Sequence, residues 1–408
     1  MINTGDFLEL CLNRGFNFFT GTPCSYLKPI INYVISNDAF SFVNAANEGD
    51  AIALACGAVM AGKRSVVMFQ NSGFGNAVNP LTSLSYTFKI PLLLIVTMRG
   101  EPSGPKDEPQ HELMGKITTD ILESMQIGWS YFPKSIEEIE SALEKADAFM
   151  SDKKLPFAFV LRKGDITPYK LNSLDKTRSL HPAGSNKDNF DIRNNKMPTR
   201  NEALKTIQSV SEEGTAVIAT TGFTGRELCM LDDRDNQLYM VGSMGCALSI
   251  GIGIAINKPA LKVIVVDGDG ALLMRTGSMA ATSMYAPANL IHILFNNEIH
   301  ESTGGQQTLS GNISFPAIAK GFGYNHIFST DDLNVFNNFI FKAMVMKGPI
   351  FIHLKTHPGV PKNLGRPSVK PEQVKERFMK YLDKNYIKEI YVQRPTSSHI
   401  GRRDWVPS

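Results

Sequence analysis

Two short polar stretches carry residues able to hold a metal–phosphate group. The run "KVIVV" leads into Asp267-Gly268-Asp269-Gly270, and "LIHILF" leads into Asn296-Asn297. Glycine lets the backbone approach a ligand closely, and the start of a following helix favours an anion. An aspartate at such a place repels a phosphate unless a divalent cation lies between them. Mg2+ typically takes one or two protein carboxylates or carbonyls together with substrate phosphates. The amide oxygens of the asparagine pair are hard donors of the same kind. The two stretches are 25 residues apart (271–295), which is room for one helix between neighbouring parallel strands. Ligands of parallel α/β sheets bind at the carboxyl ends of strands, so this spacing predicts adjacent strand ends clasping one metal diphosphate.

The elements that must present these residues have a recognisable pattern. "SVVMF", "PLLLIVT", "KVIVV" and "LIHILF" are continuous apolar runs, as expected of strands buried on both faces of parallel, helix-covered sheets. The order of elements also repeats. In the first half, "DAIALACGAVMAGK" leads into "SVVMF", a loop "QNSGFG" and "PLLLIVT". In the second half, "CALSIGIGIAINK" leads into "KVIVV", "DGDGA" and "LIHILF". An offset of 197 relates Gly73 to Gly270 and Ala58 to Ala255. The expected fold is therefore α/β, with two similar parallel-sheet domains at 1–171 and 199–366. Residues 172–198, rich in Asn, Asp, Ser and Lys, read as a polar linker. A C-terminal helical segment and tail occupy 367–408.

Composition narrows the function classes. The chain has 408 residues, enough for two sizeable cores, and a formal net charge of +3, which gives no reason to expect nucleic acid as a partner. The five cysteines form no C-x-x-C pair and read as reduced thiols. No secretory signal or bilayer-spanning run is visible, so a soluble, cytoplasmic protein with no membrane partner is expected. A dinucleotide-binding dehydrogenase is rejected because "GIGIAIN" puts Ile256 where the third glycine of the fingerprint belongs.

The pairing of GDG with a following NN resembles the signature of thiamine-diphosphate-dependent enzymes. That resemblance implies thiamine diphosphate and Mg2+ as cofactors, with Asp269, the Asn297 side chain and the Ile299 carbonyl as metal ligands. Gly268, Gly270, Ala271 and Asn296 would shape the cofactor loop. It further implies a glutamate in the other domain, hydrogen-bonded to the cofactor's pyrimidine ring to promote proton removal. "NAANEGDAIA" offers Glu48 and Asp50, and the pattern of the resemblance selects Glu48. A non-catalytic relative would have lost Glu48, Asp269 or Asn297, and all three are present. A pyrimidine-binding domain (1–171) and a diphosphate-binding domain (199–366) follow, with no central third domain. The cofactor would lie between subunits of a homodimer or higher homo-oligomer.

That compact arrangement is similar to the phosphonopyruvate and sulfopyruvate decarboxylases. "GTPCSYLKP", "NSGFGNAVNPLTSL", "IPLLLIVTMRGEP", "KDEPQHELMG" and "HESTGGQ" look like the former. The implied reaction is decarboxylation of 3-phosphonopyruvate, a small 2-keto acid, to phosphonoacetaldehyde and CO2. Sulfopyruvate decarboxylation and 2-keto-acid carboligation are the alternatives. Recognition of a phosphonate needs several donors, for which Ser25, Lys28, Asn71, Ser72, Arg99 and Ser302 are the candidates. His111 and His300 are the candidates for returning a proton to carbon. Glu301 is expected to orient His300, and Gly304-Gly305 to turn backbone amides toward substrate. His292, inside an apolar strand, reads as a core histidine. Glu298 and Ile299 depart from the smaller residues common after the asparagine pair.

Overall fold

The computed structural model describes residues 1–171, 187–192 and 197–393. The first sheet contains β1 (Phe16–Gly21), β2 (Ser41–Asn44), β3 (Arg64–Gln70), β4 (Leu93–Thr97), β5 (Gly128–Tyr131) and β6 (Phe157–Leu161). The second contains β7 (Lys187–Asp191), β8 (Thr215–Ala219), β9 (Gln237–Tyr239), β10 (Lys262–Gly268) and β11 (Leu290–Asn296), with β14 (His326–Thr330) and β15 (Ile350–Lys355). Between these last pairs, β12 (Ile299–His300) and β13 (Gln306–Gln307) make a small antiparallel hairpin. Every strand pairing in the two large sheets is parallel.

The repeat seen in the sequence is a repeat of topology. The first sheet runs β2-β1-β3-β4-β6-β5, and the second, read from its far edge, runs β9-β8-β10-β11-β15-β14 with β7 added outside. Even the register agrees. Val66 pairs with Leu93 and Val263 pairs with Leu290, so both members are displaced by 197 residues (263 − 66, 290 − 93).

Small residues explain how the two domains meet. Helix Glu48–Met60 packs on β1 and β3 and, on its other side, on helix Ala247–Asn257. A Cβ at Gly57 would sit 2.2 Å from the Ile250 carbonyl oxygen, and one at Gly253 would sit 2.3 Å from that of Leu54. The helices therefore touch backbone to backbone, which accounts for their being apolar on nearly every face. The C-terminal helix Pro371–Gln393 seals both domains. It buries Val374, Phe378 and Leu382, Lys375 Nζ donates to the Lys89 carbonyl, and the Tyr381 hydroxyl accepts from Gly214 N.

One expectation needs correction. Part of the 172–198 stretch is not linker, because Lys187–Asp191 forms β7 alongside β14. An edge strand needs only backbone partners on one side, so a polar segment with exposed Phe190 can supply it without an apolar signal. Residues 172–186, 193–196 and the tail 394–408 lie outside the described residues. All five cysteines are free, and no described helix is long and apolar enough to cross a membrane.

Candidate active site

Adjacent strands β8, β10, β11 and β15 deliver their carboxyl ends to one cleft. Its lining includes Thr220, Thr221 and Gly222 after β8, and Gly268, Asp269, Gly270 and Ala271 at the end of β10. Asn297, Ile299, His300, Glu301 and Ser302 follow β11, Thr356 follows β15, and Arg200 also lines it. Gly222, at φ +87°, turns the chain into helix Phe223–Leu231, whose N-terminus has no side-chain cap. Thr220 is buried, and its hydroxyl has no partner among the described residues. Two hydroxyls converge on one oxygen of the buried Asp269: Thr308 Oγ1 donates to Oδ2 at 2.5 Å and Ser310 Oγ at 2.7 Å.

The residue types at this cleft fit a diphosphate with a hard cation. Asp269, Asn297 and the Ile299 carbonyl offer oxygen donors, while the uncapped helix end and the orphaned Thr220 hydroxyl offer donors to anionic oxygens. Glycine at 270 leaves His300 its place over the loop, since a Cβ there would lie 2.6 Å from the ring's Cε1. Asn296 is buried and serves the loop itself. Its oxygen accepts from Glu298 N, and its amide nitrogen donates to His353 Nε2 at 3.3 Å. Burial pushes the His353 pKa down to about 4, so that ring stays neutral and able to accept.

Two expectations about the stretch after the asparagine pair fail. Glu301 does not orient His300: its Oε2 accepts from Arg200 Nη1 at 2.6 Å and from Asn297 Nδ2 at 3.0 Å, and its Oε1 from Gly359 N. Nor do Gly304 and Gly305 turn their amides to the cleft. Both have positive φ and close the β12–β13 hairpin, their N–H groups donating to the carbonyls of Glu301 and His300. Glu298 adopts φ +61°, a left-handed conformation that smaller residues accept more readily.

The first domain gathers the other candidates at the ends of β1, β3 and β4. Glu48, at the start of its helix, accepts from Thr22 Oγ1 at 3.0 Å and from Asn76 Nδ2 at 2.7 Å. Gly73 makes room for it, since a Cβ there would lie 2.4 Å from the Glu48 carboxyl carbon. The competitor Asp50 is buried against Arg275 at 3.3 Å, and burial raises its pKa to about 6. His111 is buried between Asp107 (Nδ1 to Oδ1, 3.1 Å) and Gln70 (Nε2 to Nε2, 3.1 Å). Gln70 also donates to Ser72 Oγ, and its oxygen accepts from the Cys24 thiol. Arg99 donates twice to Asp107, holding that carboxyl far below the usual carboxylate range.

Asn71 is the candidate the geometry moves out of the substrate-contact group. It is wholly buried, both amide hydrogens go to Arg99 O and Thr118 Oγ1, and its oxygen accepts from Arg99 N. It fixes the Arg99 backbone and has no donor left for a ligand. Ser25, Lys28 and Ser72 are exposed at the same end of the sheet. His292 is a core residue, as expected, with its Nδ1 3.1 Å from the Tyr324 hydroxyl.

Sequence reasoning missed Arg200, Thr220, Thr308 and Ser310. A signal existed for Thr220: β8 lies beside β10, so the loop "TTGFTG" that follows it had to open on the same cleft. Arg200 had none, because it reaches the cleft from the first turn of helix Arg200–Val210, where an arginine ordinarily faces solvent.

Comparison with known proteins agrees with this arrangement. The description "Thiamine pyrophosphate enzyme, N-terminal TPP binding domain" matches residues 2–120, and "Thiamine pyrophosphate enzyme, C-terminal TPP binding domain" matches residues 228–354. A phosphonopyruvate decarboxylase of Streptomyces viridochromogenes is 39% identical over 94% of this chain and 95% of its own length. A sulfopyruvate decarboxylase of Methanosarcina acetivorans is 26% identical over 92% of this chain and 96% of its own. The benzoylformate decarboxylase structure from Polynucleobacter necessarius has the same fold, with a TM-score of 0.68 at 13% identity, covering 88% of this chain and 99% of that one. The chain therefore belongs to the thiamine pyrophosphate enzymes and, among them, to the family of phosphonopyruvate decarboxylases.

Proposed function

We propose that the protein decarboxylates 3-phosphonopyruvate to phosphonoacetaldehyde and CO2, using thiamine diphosphate and Mg2+. The observation that carries this reading is the convergence of Asp269, Asn297 and Ile299 on one cleft with the orphaned hydroxyl of Thr220. Similarity over nearly the whole chain supports the phosphonate substrate, at 39% identity to a phosphonopyruvate decarboxylase against 26% to a sulfopyruvate decarboxylase.

When bound, thiamine diphosphate supplies the nucleophilic carbon and the electron sink that decarboxylation of a 2-keto acid requires. In this reading Asp269, Asn297 and the Ile299 carbonyl hold Mg2+. Thr220, Thr221 and the first amides of helix Phe223–Leu231 hold the diphosphate. Glu48 holds the pyrimidine ring. His300, over Gly270, and His111, backed by Asp107, are the groups placed to pass a proton. Lys28, Ser25, Ser72, Ser302 and the Arg99 edge not spent on Asp107 are the donors for the phosphonate.

The working unit is proposed to be at least a homodimer. The cleft around Asp269 is lined by residues 200–356 alone, which supports a site completed by Glu48, Arg99 and His111 of a second chain. Trapping the product separates this reading from carboligation. With phosphonopyruvate alone, a decarboxylase releases one free aldehyde per CO2, measured with an aldehyde-specific reagent. CO2 release with little free aldehyde favours a carboligase.

A further inference from the structure

Glu301 sits where a carboxylate should be costly, on a cleft whose features suit a diphosphate. Its side chain is 9% exposed and surrounded by three donors: Arg200 Nη1, Asn297 Nδ2 and Gly359 N. Arg200 is equally buried and is itself held from behind by Glu227, whose Oε1 accepts from Nε at 2.9 Å and Nη2 at 2.6 Å. Burial raises the Glu227 pKa, and Arg200 opposes that rise. A buried Glu–Arg–Glu chain is weak evidence for stability, so its contact with Asn297 calls for another account.

An asparagine amide has an oxygen and two N–H donors of nearly the same shape, and rotation exchanges them. Only the oxygen can bind a cation. A carboxylate accepts and does not donate, so a carboxylate 3.0 Å from Asn297 Nδ2 commits the nitrogen to itself and leaves the oxygen, which accepts from Ile299 N at 3.3 Å, with its second lone pair for the cleft. We propose that Glu301, fixed by Arg200, is a positioning residue that sets the amide orientation of Asn297 at the cation site. The inference rests on the reading of Asp269 and Asn297 as ligands. Outer-shell partners of this kind typically alter metal affinity by 10–100-fold.

The test is Mg2+ titration of the full-length protein by calorimetry at saturating thiamine diphosphate, without substrate. Glu301→Gln should weaken Mg2+ binding by about 10–100-fold, because glutamine has one acceptor oxygen for the three donors, so its amide nitrogen must face either Gly359 N or the Arg200–Asn297 pair and the constellation that holds Asn297 is broken. In an Asn297→Asp background both terminal atoms are oxygens, so adding Glu301→Gln should cause no loss and should relieve charge repulsion. Equal loss in both backgrounds, or unchanged binding in Glu301→Gln, overturns the inference. If Glu301→Gln fails to fold, Glu301→Asp keeps the charge but is one methylene short of Asn297 and should weaken binding in the same direction. Unchanged binding there overturns the inference as well. Mg2+ binding that survives Asp269→Ala overturns the cation-site reading on which it rests.

Discussion

Glu48 is held at both oxygens, by Thr22 and Asn76, so its geometry does not depend on the cofactor. Glu48→Gln keeps the shape and removes the exchangeable proton. It should leave thiamine diphosphate binding within reach of wild type while lowering kcat by about 10²–10⁴; parallel binding and turnover measurements check both halves. His353 carries a pH prediction. Its folded pKa of about 4 lies below its ordinary 6.5, so the folded state binds fewer protons between those values. Its stabilising contribution is complete above pH 6.5 and is lost as pH falls toward 4, by about 3 kcal/mol in all. The lost acceptor is the one that anchors Asn296. Denaturant melts from pH 7 to 4 should show that slope in the wild type and a shallower one in His353→Asn. At this scale the meeting of Asp269 and Asn297 at one cleft was legible because two adjacent strand ends had to deliver them. Glu301 was misassigned because a neighbour in sequence, His300, was the only partner that sequence offers.

At the scale of elements, the crossing of helices Glu48–Met60 and Ala247–Asn257 sets where Glu48 stands. Gly253→Ala would put a methyl 2.3 Å from the Leu54 carbonyl oxygen. Backbone cannot yield as a flexible side chain can, so the helices must separate, at about 1–3 kcal/mol. A lowered Tm together with reduced kcat is the expected outcome, and an unchanged Tm would mean the contact is slack. The strands that form the site were readable because strands buried on both faces must be continuously apolar. β7 was not, since its polar residues 187–191 are held by backbone bonding to β14 and the composition of a linker looks the same. The hairpin at 299–307 was likewise hidden: Gly304-Gly305 signals a turn as readily as a ligand loop.

For the whole molecule, the 197-residue repeat makes two sheets of one topology, yet the two carry different chemistry. One presents Glu48 with Arg99 and His111, the other Asp269 with Asn297 and His300. If complete sites form only between chains, mixing inactive Glu48→Ala and Asp269→Ala subunits under verified exchange restores activity in mixed dimers, whereas each variant alone stays inactive. No recovery would place both residues in one chain's site. The most direct test of the central claim is CO2 release from phosphonopyruvate, sulfopyruvate and pyruvate in parallel, with and without thiamine diphosphate and Mg2+. The account predicts turnover that requires both cofactors and is dominated by phosphonopyruvate. Turnover dominated by sulfopyruvate or pyruvate, or turnover indifferent to the cofactors, would contradict it.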